Sequence, residues 1–313
     1  MREAENSAAL GGMRNPHTSV QKVPDAAQGG ASLRDILEDA IQSHPRFLHA
    51  VERVLDGETA VEPPMALVES VRAKVCQLGG EVFHEGAPGL RPEVFKAYRR
   101  ITGDPDSQLA TWLETGAPLG IEEPIASSGV FPSVTDSSVP EGYTDSLICT
   151  PSGWTDYQSS EGDPVTTRAL LDHMVDQGWA SRHDSYDSVL RELGVDGVVL
   201  NRLALITKEK PDHSLKHRLV WDLRRSGVNL AVRQGERIVL PRIEDVVRDS
   251  LDLAHHGAGE LFLLGTDVSH AFHQVPLAPA ERKYTVAAVG DTFYVFHVLV
   301  FGSGSAPTVW GRY

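Results

Sequence analysis

The sequence contains few of the features that mark secreted or membrane proteins. Its only two cysteines, Cys76 and Cys149, form no C-x-x-C pair, so we expect neither a disulfide scaffold nor a cysteine-rich zinc site. A reducing, intracellular compartment fits this usage, with nucleus and cytoplasm not distinguished. No apolar run approaches the roughly 20 residues of a membrane-spanning helix, so no membrane partner is expected. The charged N-terminus has no apolar core, which argues against a secretory signal.

The charge is unevenly distributed along the 313 residues. The formal net charge is -14, which by itself argues against a nucleic-acid partner. Residues 1–200 contain 15 Lys and Arg against 31 Asp and Glu, whereas residues 201–313 contain 14 against 12. The acidic surplus therefore lies in the first part of the chain. Such an asymmetry predicts two units with different partners.

The first part of the chain is predicted to be mainly helical. Residues 1–30 have no periodicity and are expected to be a disordered tail. Residues 31–123 form a helical region of unknown role, with apolar spacing for helices at 33–41, 47–55, 65–78 and 92–101. Residues 124–164 are rich in Ser, Pro and Gly, which predicts a linker or a long irregular connection. Residues 165–194 are a helical lead-in, with one amphipathic helix at 166–179.

After residue 195 the pattern becomes that of strands and turns. Two apolar runs, 198–207 and 218–223, flank a turn-forming stretch and predict a β-hairpin. Residues 243–253 have helical spacing, and the apolar residues 261–264 predict a buried strand that leads to Asp267. Gly290 and Asp291 predict a second, tight hairpin between 284–289 and 292–298. This order predicts an α+β fold rather than a doubly wound parallel sheet.

Asp267 has the most informative surroundings in the chain. A carboxylate at a strand end can hold a metal ion while the strand stays packed, although most Asp residues in such places are turn residues or helix caps. His270 and His273 have the H-x-x-H spacing that can bind zinc on a helix, but no further Cys or His lies at a usual interval. The sequence around Asp267 helps to choose between a metal ligand and a turn or cap residue at this position.

Four sequence blocks occur in order over about 110 residues. They are 216–224 with Asn229, 267–276, 282–285, and Phe301-Gly302 with Ala306-Pro307. With these blocks the chain resembles the reverse transcriptases, or RNA-directed DNA polymerases, of retroviruses and, more closely, of gypsy-like long-terminal-repeat retrotransposons. The resemblance covers about residues 195–313. It implies incomplete polymerase fingers and a partial palm, preceded by the mainly helical acidic region.

The resemblance implies a two-metal nucleotidyltransferase. Such enzymes use two magnesium ions about 4 Å apart to activate the attacking 3′-oxygen and to stabilise the leaving pyrophosphate. Asp267 would supply a carboxylate to both ions, and the main-chain carbonyl of Val268 would bind the ion on the nucleotide side. Magnesium prefers such oxygen ligands.

The resemblance also assigns residues to the incoming nucleotide. Arg218 and Lys210 would contact the triphosphate, with Lys208 as the alternative if the hairpin register differs. Phe272 would crowd a ribose 2′-hydroxyl and so favour deoxynucleotides. The other nucleotide-binding positions are His270, Ala271, Phe301 and Gly302, and the structural positions of the fingers are Asp222, Arg224 and Asn229.

One part of the family's metal site has no counterpart in this sequence. Family members have two adjacent aspartates in the palm, and no Asp-Asp pair occurs in the 313 residues. One carboxylate cannot hold two magnesium ions tightly, so we expect this chain to be inactive as a polymerase. It is then a C-terminally truncated fragment, with a truncated copy and an incomplete gene model as the two alternatives. The full-length enzyme would bind an RNA or DNA template with its primer and a dNTP.

Two other interpretations remain open. The chain can be a non-catalytic remnant of a polymerase fold that binds nucleic acid or protein. Its nucleic-acid contacts would then be Lys208, Lys210, Lys216, Arg218, Arg224 and Arg225. Alternatively, the acidic N-terminal half acts as an adaptor for an unknown, basic protein partner.

Overall fold

The computed structural model describes residues 33–47, 49, 53, 62–86, 89–134, 139, 142–147, 152–257, 261, 265 and 267–313. The predicted tail at 1–30 lies outside these residues. Contacts divide the chain into two compact units. The first unit comprises the described residues within Met1–Ala87, Glu93–Pro105 and Val239–Asp267, and the second comprises those within Pro88–Pro92, Asp106–Ile238 and Val268–Tyr313. Residues 239–267 thus group with the N-terminal helices, whereas the sequence placed them in one unit with 195–313.

The described residues form helices, short 3-10 turns and five strands. The helices are α1 (Leu33–Gln42), α2 (Met65–Gly79), α3 (Pro92–Thr102), α4 (Leu109–Thr115), α5 (Gln158–Glu161), α6 (Pro164–Asp176), α7 (Tyr186–Leu193), α8 (Val228–Ala231), α9 (Ile243–His255) and α10 (Ala306–Trp310). The 3-10 turns are Thr144–Leu147, Ala271–Gln274 and Pro279–Tyr284. The strands are β1 (Ala180–His183), β2 (Leu200–Glu209), β3 (Leu215–Asp222), β4 (Val286–Val289) and β5 (Thr292–Phe296). None of the described helices is long and apolar enough to cross a membrane.

The first unit is a small helical assembly. Its helices α2 and α3 confirm the predicted helices at 65–78 and 92–101, while most of the predicted stretch 47–55 lies outside the described residues. Ile36, Val75, Cys76 and Ala97 form its buried core. Gly79 has no side chain at the contact with α3, where a Cβ would lie 2.4 Å from the Ala97 Cα. Helix α9 confirms the predicted helix at 243–253, and none of its residues is buried.

The second unit is built on one five-stranded mixed sheet. The strand order is β1-β5-β4-β2-β3, and all neighbours are antiparallel except β2 and β4, which pair in parallel through two residue pairs. The predicted hairpins are confirmed as β2–β3 and β4–β5. An apolar core joins Val189 of helix α7 to Leu200 and Phe293 of the sheet. The fold is thus α+β, as the sequence predicts.

One predicted helix ends earlier in the structure, and one predicted strand lies almost wholly outside the described residues. The helix predicted to reach Trp179 ends at Asp176, because Gly178 adopts a φ of 74° and closes the last turn. Its start at Pro164 is fixed by the Asp163 side chain, which accepts a hydrogen bond from the Thr166 N–H at 3.0 Å. Of the predicted strand at 261–264, only residue 261 is described, and it is not in a strand.

The start of the stretch predicted as a linker or a long irregular connection is packed within the second unit. Ile125 and Phe131 are buried, and Ile125 forms a bridge with Gln234. Nearby, the buried Arg312 guanidinium contacts both Asp106 carboxylate oxygens at 2.6 and 2.7 Å. The irregular connection after residue 123 is therefore part of the second unit.

Candidate nucleotide-binding site

The outer half of the β2–β3 hairpin presents a basic face. In the observed register Lys208 lies opposite Lys216, and Ile206 lies opposite Arg218. Side chains two residues apart on a strand share a face, so these four lie together, and all are exposed. Within the described residues, none of the three cations forms an ion pair. Like charges directly opposite each other weaken a sheet, so this arrangement is better suited to an anionic ligand than to stability.

The hairpin register decides how the predicted phosphate contacts are arranged. Lys210 follows the end of β2, where its N–H donates to the Ser214 carbonyl at 2.9 Å within the turn. Lys208, the alternative, shares a face with Arg218 in the observed register. All three side chains are exposed, and the structure is compatible with either lysine beside Arg218 as a phosphate contact.

Asp222 organises the inner end of the hairpin. Its carboxylate accepts hydrogen bonds from the Tyr157 hydroxyl and from the Arg225 N–H, the latter at 2.8 Å. Burial raises the pKa of Asp222, but the hydrogen bonds from Tyr157 and from the backbone of Arg225 and Arg224 outweigh it and hold the pKa below its ordinary value. The Arg224 side chain is exposed. Asp222 is thus a structural residue, and Tyr157 is a partner that the sequence did not reveal.

Asn229 connects the fingers block to the block around Gly302. Its side-chain amide donates to the Gly302 carbonyl at 2.8 Å and accepts from the Gly304 N–H at 2.8 Å. Gly302 has a φ of 101°, and a Cβ there would lie 2.2 Å from the Trp221 carbonyl oxygen on β3. Only glycine fits this position. The Phe301-Gly302 segment is therefore held against the inner end of the hairpin.

Phe272 and Phe301 meet although 29 positions separate them in the sequence. Their ring centroids are 4.8 Å apart, with Phe272 half-buried and Phe301 47% exposed. An exposed large aromatic ring beside a second one forms an apolar surface that a nucleoside can contact. The structure thus brings together three predicted positions, namely Phe272, Phe301 and Gly302, with the fingers residue Asn229.

The two histidines pack on Trp179. The Trp179 ring centroid is 4.9 Å from that of His270 and 4.6 Å from that of His273. His273 is buried, and burial, helped by His270, lowers its pKa to about 4. His270 has a φ of 53°, a conformation that few non-glycine residues adopt. Ala271 begins the 3-10 turn that follows. No motif identified Trp179 as the partner of these histidines.

Asp267 and Val268 lie at the division between the two units. Asp267 is the last residue of the first unit and Val268 is the first residue of the stretch that returns to the second. Both side chains are exposed, and neither residue is in regular secondary structure. The distance of the Asp267 carboxylate from Arg218 and Phe272 therefore stays a prediction.

The oxygen donors fit magnesium only in part. Exposed carboxylate and carbonyl oxygens are the ligands that magnesium prefers, and phosphate and water usually complete its shell. Across the described ranges, however, no group of three or more His, Cys, Asp or Glu side chains is arranged to hold a metal ion. Asp267 and Val268 can therefore contribute ligands but do not form a complete cage.

Comparisons with known proteins find only weak structural similarities. No protein-family model matches the chain, and neither does any curated protein. Among solved structures, foamy viral protease-reverse transcriptase in complex with double-stranded DNA is similar at a TM-score of 0.31 and 15% identity, over 81% of this chain and 35% of that chain. A second structure of foamy viral protease-reverse transcriptase with double-stranded DNA gives a TM-score of 0.28 and 13% identity, over 80% and 41%. The chain thus spans less than half of the length of either solved chain. Both structures are of a foamy viral enzyme, so they do not test the gypsy-like part of the prediction.

Proposed function

We propose that this chain carries the nucleotide-gripping fingers and part of the palm of a reverse transcriptase-like polymerase. One observation carries the proposal. Three of the sequence blocks on which the family resemblance depends meet in the fold, since Asn229 bonds Gly302 and Phe272 contacts Phe301. Because these residues are up to 73 positions apart, chance similarity in one block does not account for their meeting.

The proposed roles follow from the chemistry of the side chains. The guanidinium of Arg218 and the ammonium of Lys208 or Lys210 neutralise the triphosphate of the incoming nucleotide. The Phe272 ring excludes a 2′-hydroxyl, which selects deoxynucleotides. Asp267 and the Val268 carbonyl contribute oxygen ligands to magnesium, which when bound supplies charge neutralisation at the reacting phosphate. With no Asp-Asp pair in the sequence, we expect these residues to bind nucleotide without incorporating it.

Nucleotide binding tests this proposal directly. We expect the chain to bind a magnesium complex of dATP more tightly than one of ATP, measured by isothermal titration calorimetry. Phe272→Ala should reduce the preference for dATP over ATP. Arg218→Ala should weaken the binding of both nucleotides about tenfold or more. Arg191→Ala, on helix α7, removes the same charge from an exposed site elsewhere in the second unit. Equal losses in Arg218→Ala and Arg191→Ala would contradict the proposal.

The exposed basic face favours a second candidate function. Lys208, Lys216 and Arg218 share one face and form no ion pair among the described residues, which fits a protein that holds a nucleic-acid backbone without catalysis. Binding of an RNA–DNA primer-template should then fall steeply with salt, and removing each cation should reduce the salt slope by about 1. Nucleic-acid binding with no response to dATP or to Phe272→Ala would favour this candidate over the polymerase.

The acidic helical region supports a separate proposal about partners. The surplus of acidic residues before position 200 fits a basic protein surface. If the region acts as an adaptor, its binding to a basic partner will weaken with salt and will not depend on Arg218.

A further inference from the structure

A separate cavity of about 520 Å³ lies on the second unit. Its walls come from helix α4, the segment after it and the start of the 3-10 turn Pro279–Tyr284. Three glutamates line it, namely Glu122, Glu123 and Glu281, and among the described residues no lysine, arginine or histidine does. Pro279 and Ala280 form part of its apolar wall. A volume of this size accommodates a small ligand.

Glu281 is the unusual residue of this cavity. It is 1% exposed, and its Oε1 accepts hydrogen bonds from the N–H groups of Gly120, Ile121 and Glu122 at 3.2, 3.1 and 3.2 Å. Within the described residues, its Oε2 has no hydrogen-bond partner. A buried carboxylate oxygen without a partner costs free energy that a bound donor would recover.

The backbone holds this carboxyl group in place. Ala117 pairs with Leu277 in a parallel bridge, and the Ala278 N–H donates to the Ala117 carbonyl at 2.9 Å. Gly116 permits this approach, because a Cβ there would lie 2.4 Å from the Ala278 nitrogen. The two walls are hydrogen-bonded to each other, and three backbone amides donate to one oxygen of Glu281. These contacts hold the Glu281 side chain in its orientation.

The surrounding charges do not neutralise Glu281. The adjacent Arg282 donates instead to the Leu277 carbonyl at 3.2 Å. Lys283 pairs with Glu122 at 2.7 Å, and Tyr284 donates to the same Glu122 oxygen at 2.6 Å. Glu123 is exposed at the cavity. Burial holds the pKa of Glu281 above its ordinary value, and hydrogen bonds from the backbone amides offset only part of that rise, so a bound cation would favour the ionised carboxylate. The cavity therefore attracts a positively charged donor.

We propose that this cavity binds an aliphatic primary ammonium group, with the ammonium on Glu281 Oε2 and its methylene chain against Pro279 and Ala280. An ammonium has three movable donors and a compact charge, which suits a single fixed carboxylate oxygen better than a planar guanidinium does. A free polyamine and a lysine side chain of another protein share this chemistry. The site is independent of the proposed nucleotide contacts.

Calorimetric titration with two probes tests the site and separates the sources. Spermidine represents the polyamine, and N-acetyl-lysine amide represents the lysine side chain; N-acetyl-norleucine amide lacks the ammonium. We expect the full chain to bind at least one of the first two and not the third. Glu281→Gln keeps an oxygen for the three amides and should weaken binding about tenfold or more. Asp291→Asn, at the exposed β4–β5 turn, removes one charge elsewhere and should leave binding unchanged.

A second variant guards against misfolding as the cause of a loss. Ala280→Trp fills the cavity from an exposed position and leaves every carboxylate in place, so it should abolish binding while the unfolding transition stays cooperative. Tighter binding of spermidine identifies the polyamine class, and tighter binding of the lysine probe identifies a protein partner. No binding of either probe at millimolar concentration, or equal affinity in wild type and Glu281→Gln, overturns the proposal.

Discussion

The inner half of the β2–β3 hairpin is packed and hydrogen-bonded, whereas its outer half is exposed and positively charged. At the inner end, Trp221 is 2% exposed, Gly302 lies against its carbonyl, and Asn229 bonds two backbone groups. At the outer end, Lys208 and Lys216 face each other in solvent without a counter-ion among the described residues. The inner end gains free energy from packing and hydrogen bonds, whereas the outer end retains uncompensated charge. A hairpin anchored at one end and charged at the other is suited to grip a polyanion.

The largest expected effect is at the inner end. Gly302→Ala places a Cβ 2.2 Å from a backbone oxygen at a φ of 101°, so we expect the free energy of unfolding in urea to fall by at least about 3 kcal/mol. Gly304→Ala is the matched control, because its Cβ would lie 3.4 Å from the Asn229 side chain, and should cost less than about 1 kcal/mol. Equal costs would mean that the segment does not pack against β3 as described.

The next largest effect on stability is expected from removing the Asn229 side chain. Asn229→Ala leaves the Gly302 carbonyl and the Gly304 N–H without their partner and should cost about 2 kcal/mol in the same urea experiment. If the bridge positions Phe301, dATP binding should weaken as well. Unchanged stability would show that water replaces the amide at no cost.

Two groups of the second unit make stability depend on pH in opposite directions. The pKa of Asp156, which accepts from the Leu203 N–H at 2.8 Å, is raised to about 6 by burial. Its ionisation therefore penalises the folded state above pH 6, and stability increases as pH falls from 6 towards 4. The pKa of His273 is lowered to about 4. The stability of the fold with a buried, neutral His273 is therefore fully present above pH 6.5 and is lost as pH falls through 4.

Single variants separate the two contributions. Asp156→Asn should raise the free energy of unfolding at pH 7 by about 2 kcal/mol. It should not change the loss of stability at low pH that His273 causes. His273→Phe fits the contacts with Trp179 and Phe301, and should remove a loss of up to about 3 kcal/mol between pH 6.5 and 4. Urea unfolding across this range measures both, and parallel pH profiles for the two variants would contradict the assignment.

The smallest expected effect on stability is at the outer end. Lys216→Glu replaces a repulsive cross-strand pair with an attractive one opposite Lys208 and should stabilise the protein by about 0.5 kcal/mol. The same change should weaken primer-template binding strongly at low salt, because it reverses a charge on the basic face. Lys96→Glu, on helix α3 of the first unit, is the control for net charge. If Lys216→Glu lowered stability and left binding unchanged, the claim that the outer end retains charge for binding at the expense of stability would be wrong.

Local signals predicted much of the fold, and long-range contacts account for the rest. The β4–β5 hairpin follows from Gly290-Asp291, and α9 follows from its apolar periodicity. Strand β1 was not predicted, because four residues carry too little alternation to be distinguished from a helix end. The parallel pairing of Leu200 with Val286 and the Tyr157–Asp222 bond depend on distant residues. No local pattern encodes them.

Within the candidate site, the sequence named several residues that contact one another in the fold, and their role in binding stays a prediction. Motif positions such as Phe272, Phe301, Gly302 and Asn229 were identified by their order in the chain, and the fold brings them together. The stacking of Trp179 on two histidines and the unpartnered oxygen of Glu281 arise from packing between segments, which sequence order does not reveal.

The most direct test of the central claim is photo-crosslinking of magnesium 8-azido-dATP to the full chain, followed by mass-spectrometric mapping of the modified residues. The account predicts label at Phe272, Phe301 or their immediate neighbours, competition by unlabelled dATP, and reduced labelling in Arg218→Ala but not in Arg191→Ala. Label confined to positions remote from Phe272 and Phe301, or labelling that dATP does not compete, would contradict it.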